Sequence, residues 1–242
     1  MTEELFREDA TLQHCEATVV AVDEVGIVLD RTVFYPVGGG QAGDAGTLTT
    51  PDGRSVTIVD TRKHKERPGD IAHVPAPGMP ALQPGDRVVA TLDAARRQAH
   101  RRFHTATHLL CALVPHPVDG CSITAGYARL DFHMTEPLDK ELLTQGIARL
   151  VAEAHPVRHR WISEAELDAN PGLVRSMSVQ PPRGLGRVRV LEIEGVDLQP
   201  CGGTHVANTA DVGAVIVTKI EKKSAMTRRV VLGFAEPGVS PG

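Results

Sequence analysis

Apolar residues between positions 11 and 92 come in short β-branched runs, and after position 93 they recur at helical spacing instead. The runs at 17–22, 26–29, 55–59 and 87–92 are separated by turn signals, among them Pro51-Asp52-Gly53, Pro68-Gly69-Asp70 and Pro84-Gly85-Asp86. Short strands closed by tight turns predict a small antiparallel β-barrel over residues 1–92. Asp93 has N-cap chemistry, and neither glycine nor proline occurs from Ala94 until Pro115, which predicts a helix over 94–114. Phe103, Ala106, Leu110 and Leu113 follow the three-four spacing of one buried flank, with Arg96, Arg97, Arg101 and Arg102 turned to solvent. A second helix is predicted over 138–154 from the stripe Leu143, Ile147, Leu150 and Val151. Ser163-Glu164-Ala165-Glu166 has capping-box spacing and should start a short third helix that ends before Pro171-Gly172. Strand patterns return at 187–193, 212–220 and 229–234. The fold class is therefore α+β: an N-terminal small antiparallel β-barrel, then an α+β domain over 93–242.

Candidate chemistry sits in two segments of the second half. His104-Thr105-Ala106-Thr107-His108 places two imidazoles four residues apart on the predicted helix, one turn from each other. Cys201-Gly202-Gly203-Thr204-His205 is a C-x-x-x-H clip whose paired glycines let a thiolate and an imidazole turn onto one ion. Together the clips supply the four-ligand complement of one zinc ion: His104, His108, Cys201 and His205. The helix alone leaves its ligand pair open, because His100 lies one turn before His104 and Cys111 three residues after His108. His100, amid arginines, reads as solvent- or RNA-facing, and Cys111 as a small buried apolar residue. Cys15, Cys121, His116, His133, His155 and His159 have no partner at ligand spacing.

Two patterns exclude familiar activities. A zinc peptidase needs a glutamate after the first histidine of its helical pair, and this chain has Thr105. The glycine run from Gly38 to Gly46 contains G-x-G-x-x-G at Gly38, Gly40 and Gly43, but a turn into a strand follows where dinucleotide binding needs a helix N-terminus. Such glycines serve a tight turn or close packing of backbone against another surface.

Composition narrows the setting. The chain has 242 residues, 41% of them hydrophobic, and no run of about 18 apolar residues or apolar leader, which points to a cytoplasmic protein with no membrane segment. Four cysteines in no dense framework suit a reducing compartment. A net charge of −4 argues against a general nucleic-acid coat, though local basic patches could still meet RNA. With 3% aromatic residues, extensive base stacking is not expected.

The glycine run, the histidine helix and the Cys201–His205 segment, in this order, resemble the editing half of alanyl-tRNA synthetase and its free-standing relatives, the AlaX-type alanyl-tRNA editing proteins. The resemblance spans nearly the whole chain, taking in Arg129-Leu130-Asp131-Phe132 and the basic segment from Lys222 to Arg229. It implies deacylation in trans of mischarged tRNA(Ala), chiefly Ser-tRNA(Ala) and also Gly-tRNA(Ala), with one zinc per chain on the four residues above. It also implies that the glycine run faces the same cleft as the metal, and that no ATP is consumed, since no aminoacylation domain is recognisable. Thr124 falls where family members place a threonine near the metal and is the candidate serine-sensing residue, with Gly39, Gly40, Gln41 and Asp44 as further substrate-binding candidates. Candidate phosphate contacts are Arg101, Arg102, Lys222, Lys223, Arg228 and Arg229. Rival readings are editing of Ser-tRNA(Thr), a zinc hydrolase acting on another ester, and a non-catalytic zinc-stapled RNA-binding module.

Overall fold

The computed structural model describes residues 1–177, 181, 184 and 186–235. These divide into two compact units, Met1–Gly38 with Ala42–Gln98, and Gly39–Gln41 with the residues from Ala99 onward.

The first unit contains β1 (Glu3–Glu4), β2 (His14–Val22), β3 (Ile27–Leu29), β4 (Arg31–Thr32), β5 (Gly46–Thr49), β6 (Ser55–Lys63), β7 (Ile71–Pro75) and β8 (Arg87–Leu92). Six of them close into a barrel in the order β2-β3-β7-β6-β5-β8, every pairing antiparallel. Closure removes sheet edges, and the interior then takes every second side chain. In β8 the buried residues are Val88, Ala90 and Leu92, and from β6 Val56 and Ile58 join them, with Phe34 and Leu48, in one apolar cluster. β7 escapes the pattern reading because Ile71, Ala72 and His73 are buried in succession rather than alternately. His73 is a satisfied core histidine: it meets the Thr32 hydroxyl at 2.8 Å and the Ile27 carbonyl at 3.0 Å, and burial pushes its pKa down to about 4.

Helix α1 (Ala94–Leu113) matches the predicted helix to within a residue. Its first turn belongs to the first unit, and one expectation fails there. Arg97 is 3% exposed rather than solvent-facing, because its guanidinium donates to the Asp44 carboxylate at 3.0 Å and to the carbonyls of Ala10 and Val33. Asp44 is itself fully buried and accepts from the Tyr35 backbone N–H at 2.7 Å. Removing one partner of a buried ion pair strands the other charge. Asp44→Ala should therefore lower stability by about 3–5 kcal/mol in denaturant melts. If Asp44 touched substrate instead, the soluble variant would lose turnover with little change in its midpoint.

The second unit adds β9 (Val118–Ile123), β10 (Ala128–His133), α2 (Lys140–Ala152), β11 (Val157–Ser163), α3 (Glu164–Ala169), β12 (Arg187–Ile193), β13 (Asp197–Pro200), β14 (Val215–Ser224) and β15 (Thr227–Phe234). An antiparallel sheet in the order β14-β15-β10-β9 shares one core with α1 and α2, built on Phe103, Leu109, Leu110, Phe132, Ile147, Val217, Val230 and Leu232. A second antiparallel sheet has the order β11-β12-β13. Asp139 caps α2 by accepting from the N–H groups of Glu141 and Leu142, and the predicted capping box at Ser163 and Glu166 starts α3. Among the described residues, no helix is long and apolar enough to cross a membrane.

Candidate metal centre

One turn of α1 separates His104 from His108, and their rings lie 5.6 Å apart, both on the flank that faces the second unit's interior. The other two candidate ligands lie just beyond the end of β13. Residue alternation along a strand sends Asp197, Gln199 and, just past its end, Cys201 to one side. The segment then turns back so that the His205 ring lies 4.3 Å from that of His104, tilted against it. His104, His108, Cys201 and His205 thereby bring one ligand atom each within 4.8 Å of one another. The Cys201 sulfur is 3.5 Å from His104 Nε2 and 3.2 Å from His205 Nε2, close to the roughly 3.5 Å expected between two ligands of one tetrahedral zinc.

Each imidazole is held from behind through its other nitrogen. His104 Nδ1 donates to Gln41 Oε1 at 2.8 Å, and His108 Nδ1 donates to Asp197 Oδ2 at 2.8 Å. His205 Nδ1 lies 3.3 Å from the Thr105 hydroxyl, which spends its own proton on the Arg101 carbonyl and so accepts here. All three Nε2 atoms are left for an ion, the arrangement that fixed tautomers at metal sites require.

Protonation fits the same purpose. Burial resists charge on Cys201, yet the neighbouring His104 and His205 hold its thiol well below the usual value. Burial pushes His205 down to about 3, helped by the nearby His104. For His108 burial also works downward, but Asp197 and the Cys201 sulfur outweigh it and raise the pKa to about 10.

The loop carrying Cys201 and His205 is clamped at both ends by arginines. Arg189 donates to the carbonyls of Cys201 at 2.9 Å and Gly203 at 3.1 Å, and Arg101 donates to that of His205 at 2.7 Å. Gly203 is required by space: a Cβ there would sit 2.1 Å from His104 Cε1. Gln41 completes the clamp, its carboxamide oxygen accepting from the Thr204 N–H at 3.1 Å and its amide donating to the Thr204 hydroxyl at 3.0 Å.

Within α1, His104 and His108 are the pair that joins the donor cluster. His100 lies outside the ligand cluster and is fully buried, not solvent- or RNA-facing, since the flank that buries His104 continues one turn back to it. Cys111 is buried as expected and lies outside the cluster, and burial pushes its thiol up to about 12.

Among the substrate-binding candidates, Gly39, Gly40 and Gln41 group with the second unit and Asp44 with the first. Gln41 bridges to Ile123, and the Ile123 N–H donates to the Gly40 carbonyl at 2.7 Å, so this segment runs beside β9. The close backbone approach belongs to Gly40, where a Cβ would meet Cys121 Sγ at 2.8 Å. Gly39 has open space around that position. Thr124 follows β9, and its hydroxyl donates to the Tyr127 carbonyl at 3.0 Å while accepting from the N–H groups of Gly126 and Tyr127. That hydroxyl is occupied by its own turn.

The basic candidates prove mostly committed to the fold. Arg101 holds the ligand loop, Arg102 donates to the Val212 carbonyl and stacks on Phe234, and Arg228 is buried against the carbonyls of Ser224 and Thr135. Arg229 and Lys223 both bind Asp131, which Arg129 also meets, and together they hold that carboxyl down at about 2 although burial opposes it. Lys222 and Lys223 are exposed.

Comparison with known proteins finds relatives among tRNA synthetases and tRNA editing proteins. Residues 188–231 match the model of the threonyl and alanyl tRNA synthetase second additional domain, and residues 6–96 match class II (A) tRNA synthetases. The alanyl-tRNA editing protein AlaX-M of Methanosarcina mazei is 34% identical over 249 aligned residues, covering 98% of both chains. That of Saccharolobus solfataricus is 30% identical over 95% of this chain and 98% of its own. The alanine--tRNA ligase of Metallosphaera sedula is 36% identical over 91% of this chain, which spans 25% of that longer protein. With these identities running from end to end over relatives of its own length, the chain belongs to the AlaX-M family of alanyl-tRNA editing proteins.

Proposed function

We propose that the chain is an aminoacyl-tRNA deacylase that hydrolyses mischarged tRNA(Ala), chiefly Ser-tRNA(Ala) and also Gly-tRNA(Ala), at a zinc centre held by His104, His108, Cys201 and His205. In this reading residues 1–92 are a barrel domain and 93–242 the editing domain. One observation carries it: four donor atoms lie within 4.8 Å of one another, and the rings that supply three of them are locked in the ligating tautomer by Gln41, Asp197 and Thr105. Three nitrogens and one sulfur are a borderline-soft set that suits zinc over magnesium or calcium. A bound zinc ion supplies Lewis-acid polarisation of the ester or of water.

The residues themselves hold and shape. Gly39, Gly40 and Gln41 run beside β9 to the ligands, and line the pocket for the acceptor end. Thr124 lies at the end of that strip, and reaching a substrate serine would require its turn to open. The exposed Lys222 and Lys223 are the basic candidates most available to tRNA phosphates, whereas Arg101, Arg102, Arg228 and Arg229 would act on RNA only beside their structural bonds. A charging site of alanine size rejects glycine and serine poorly, so a second hydrolytic site has a task to perform.

Incubation with Ser-, Gly- and Ala-charged tRNA(Ala) and with Ser-tRNA(Thr), all without ATP, tests the proposal. Ser-tRNA(Ala) should be consumed and Ala-tRNA(Ala) spared. Hydrolysis of Ser-tRNA(Thr) alone would move the chain to the threonyl branch, and binding without turnover would make it a zinc-stapled RNA module.

A further inference from the structure

Asp197 stands behind the metal ligands in a position that no motif marks. Its side chain is completely buried, and Oδ2 accepts from His108 Nδ1 at 2.8 Å. Gln199, two residues along the same face of β13, donates its amide to both carboxylate oxygens at 3.0 and 2.9 Å. Antiparallel pairing of β13 with β12 fixes this placement, with Ile193 opposite Asp197 and Leu191 opposite Gln199. Arg175 approaches Oδ1 only to 3.8 Å. The short contact is therefore with the imidazole.

The partners behind the other two rings are uncharged: the carboxamide of Gln41 and the hydroxyl of Thr105. That difference bears on charge balance. A divalent ion held by one thiolate and three neutral imidazoles leaves one net positive charge in a buried site. A carboxylate one imidazole away offsets it and strengthens the ring as a donor. If Asp197 merely satisfied Arg175, its contact with the arginine would be shorter than its contact with the histidine, and the reverse holds.

We propose that Asp197, oriented by Gln199, is the positioning residue and charge partner of the metal centre, acting through His108. This rests on the zinc reading above. Its effect falls on metal affinity and on the His108 ring, not on contact with substrate.

The test uses the full chain, with zinc binding measured by competition with a chromophoric chelator and the ligand field read from the visible spectrum of the cobalt(II)-substituted protein. Asp197→Asn should weaken zinc binding about 10–100-fold and alter the cobalt bands, while Gln199→Ala, which keeps the charge, should cost less. In wild-type zinc protein, His108 Nδ1–H should give a slowly exchanging, downfield proton resonance, a readout that survives even if the variant fails to fold. A folded Asp197→Asn protein with wild-type zinc affinity and an unchanged cobalt spectrum would overturn the inference, as would a His108 ring whose Nδ1 carries no protected proton. Wild-type protein that takes up neither metal would instead remove the zinc reading and this inference with it.

Discussion

Cys201→Ala protein should purify with zinc far below the stoichiometry of the wild type and lose deacylation of Ser-tRNA(Ala) by more than about 100-fold, beyond what losing an outer partner of a metal ligand costs. The sulfur is the one anionic donor of the cluster and the atom on which His104 and His205 converge, at 3.5 and 3.2 Å. A methyl group there supplies neither the charge nor a lone pair, and the three nitrogens that remain lose the donor that most favours zinc over harder cations. The barrel should be untouched, because its apolar cluster contains no residue of the ligand loop. Metal analysis, melting temperature and turnover on one preparation check this. Metal-free wild-type protein that stayed folded and fully active would refute both a structural and a catalytic role for zinc.

Legibility of the chain depended on how far each signal was local. The first α1 residues are fixed by Asp93 and by the absence of helix breakers, and α3 by a capping box that lies wholly within four residues. The four clustered donors are legible for the same reason, as two clips of five residues each. What escaped was whatever depends on partners distant in the chain. Arg97 looks like one of four solvent-facing arginines until the Asp44 carboxylate, 53 residues earlier, is brought to it. β9 and β10 carry Asp119, Gly120, Ser122, Arg129 and Asp131, and their polar faces hide the alternation that would announce strands. Asp197 could have been found, since Asp-x-Gln-x-Cys puts three side chains on one face of a strand leading into the ligand loop. Nothing in sequence order ties it to His108, 89 residues earlier.

The glycines of the two candidate site segments separate close packing from backbone freedom, and the expected results differ accordingly. Gly203→Ala should abolish zinc retention and turnover together. Its added Cβ would lie 2.1 Å from His104 Cε1, 2.4 Å from His104 Nδ1 and 3.0 Å from Gln41 Oε1, so it strikes a metal ligand and the group that orients that ligand at once. Neither can yield cheaply: His104 is on the rigid α1 helix, and Gln41 is tied to both the N–H and the hydroxyl of Thr204. Gly39 is the opposite case, with φ +59° and no atom within 4 Å of an added Cβ. Its demand is for left-handed backbone, which asparagine tolerates better than other side chains. Gly39→Asn should therefore keep zinc content and melting temperature, whereas Gly39→Val should lower the melting temperature through backbone strain rather than through a clash. Zinc content, melting temperature and Ser-tRNA(Ala) turnover measured on all three variants check the ordering. A Gly203→Ala protein that holds zinc at the wild-type level would show that the ligand loop can move away from α1, and would remove the close approach of Gly203 to His104 as a requirement of the site.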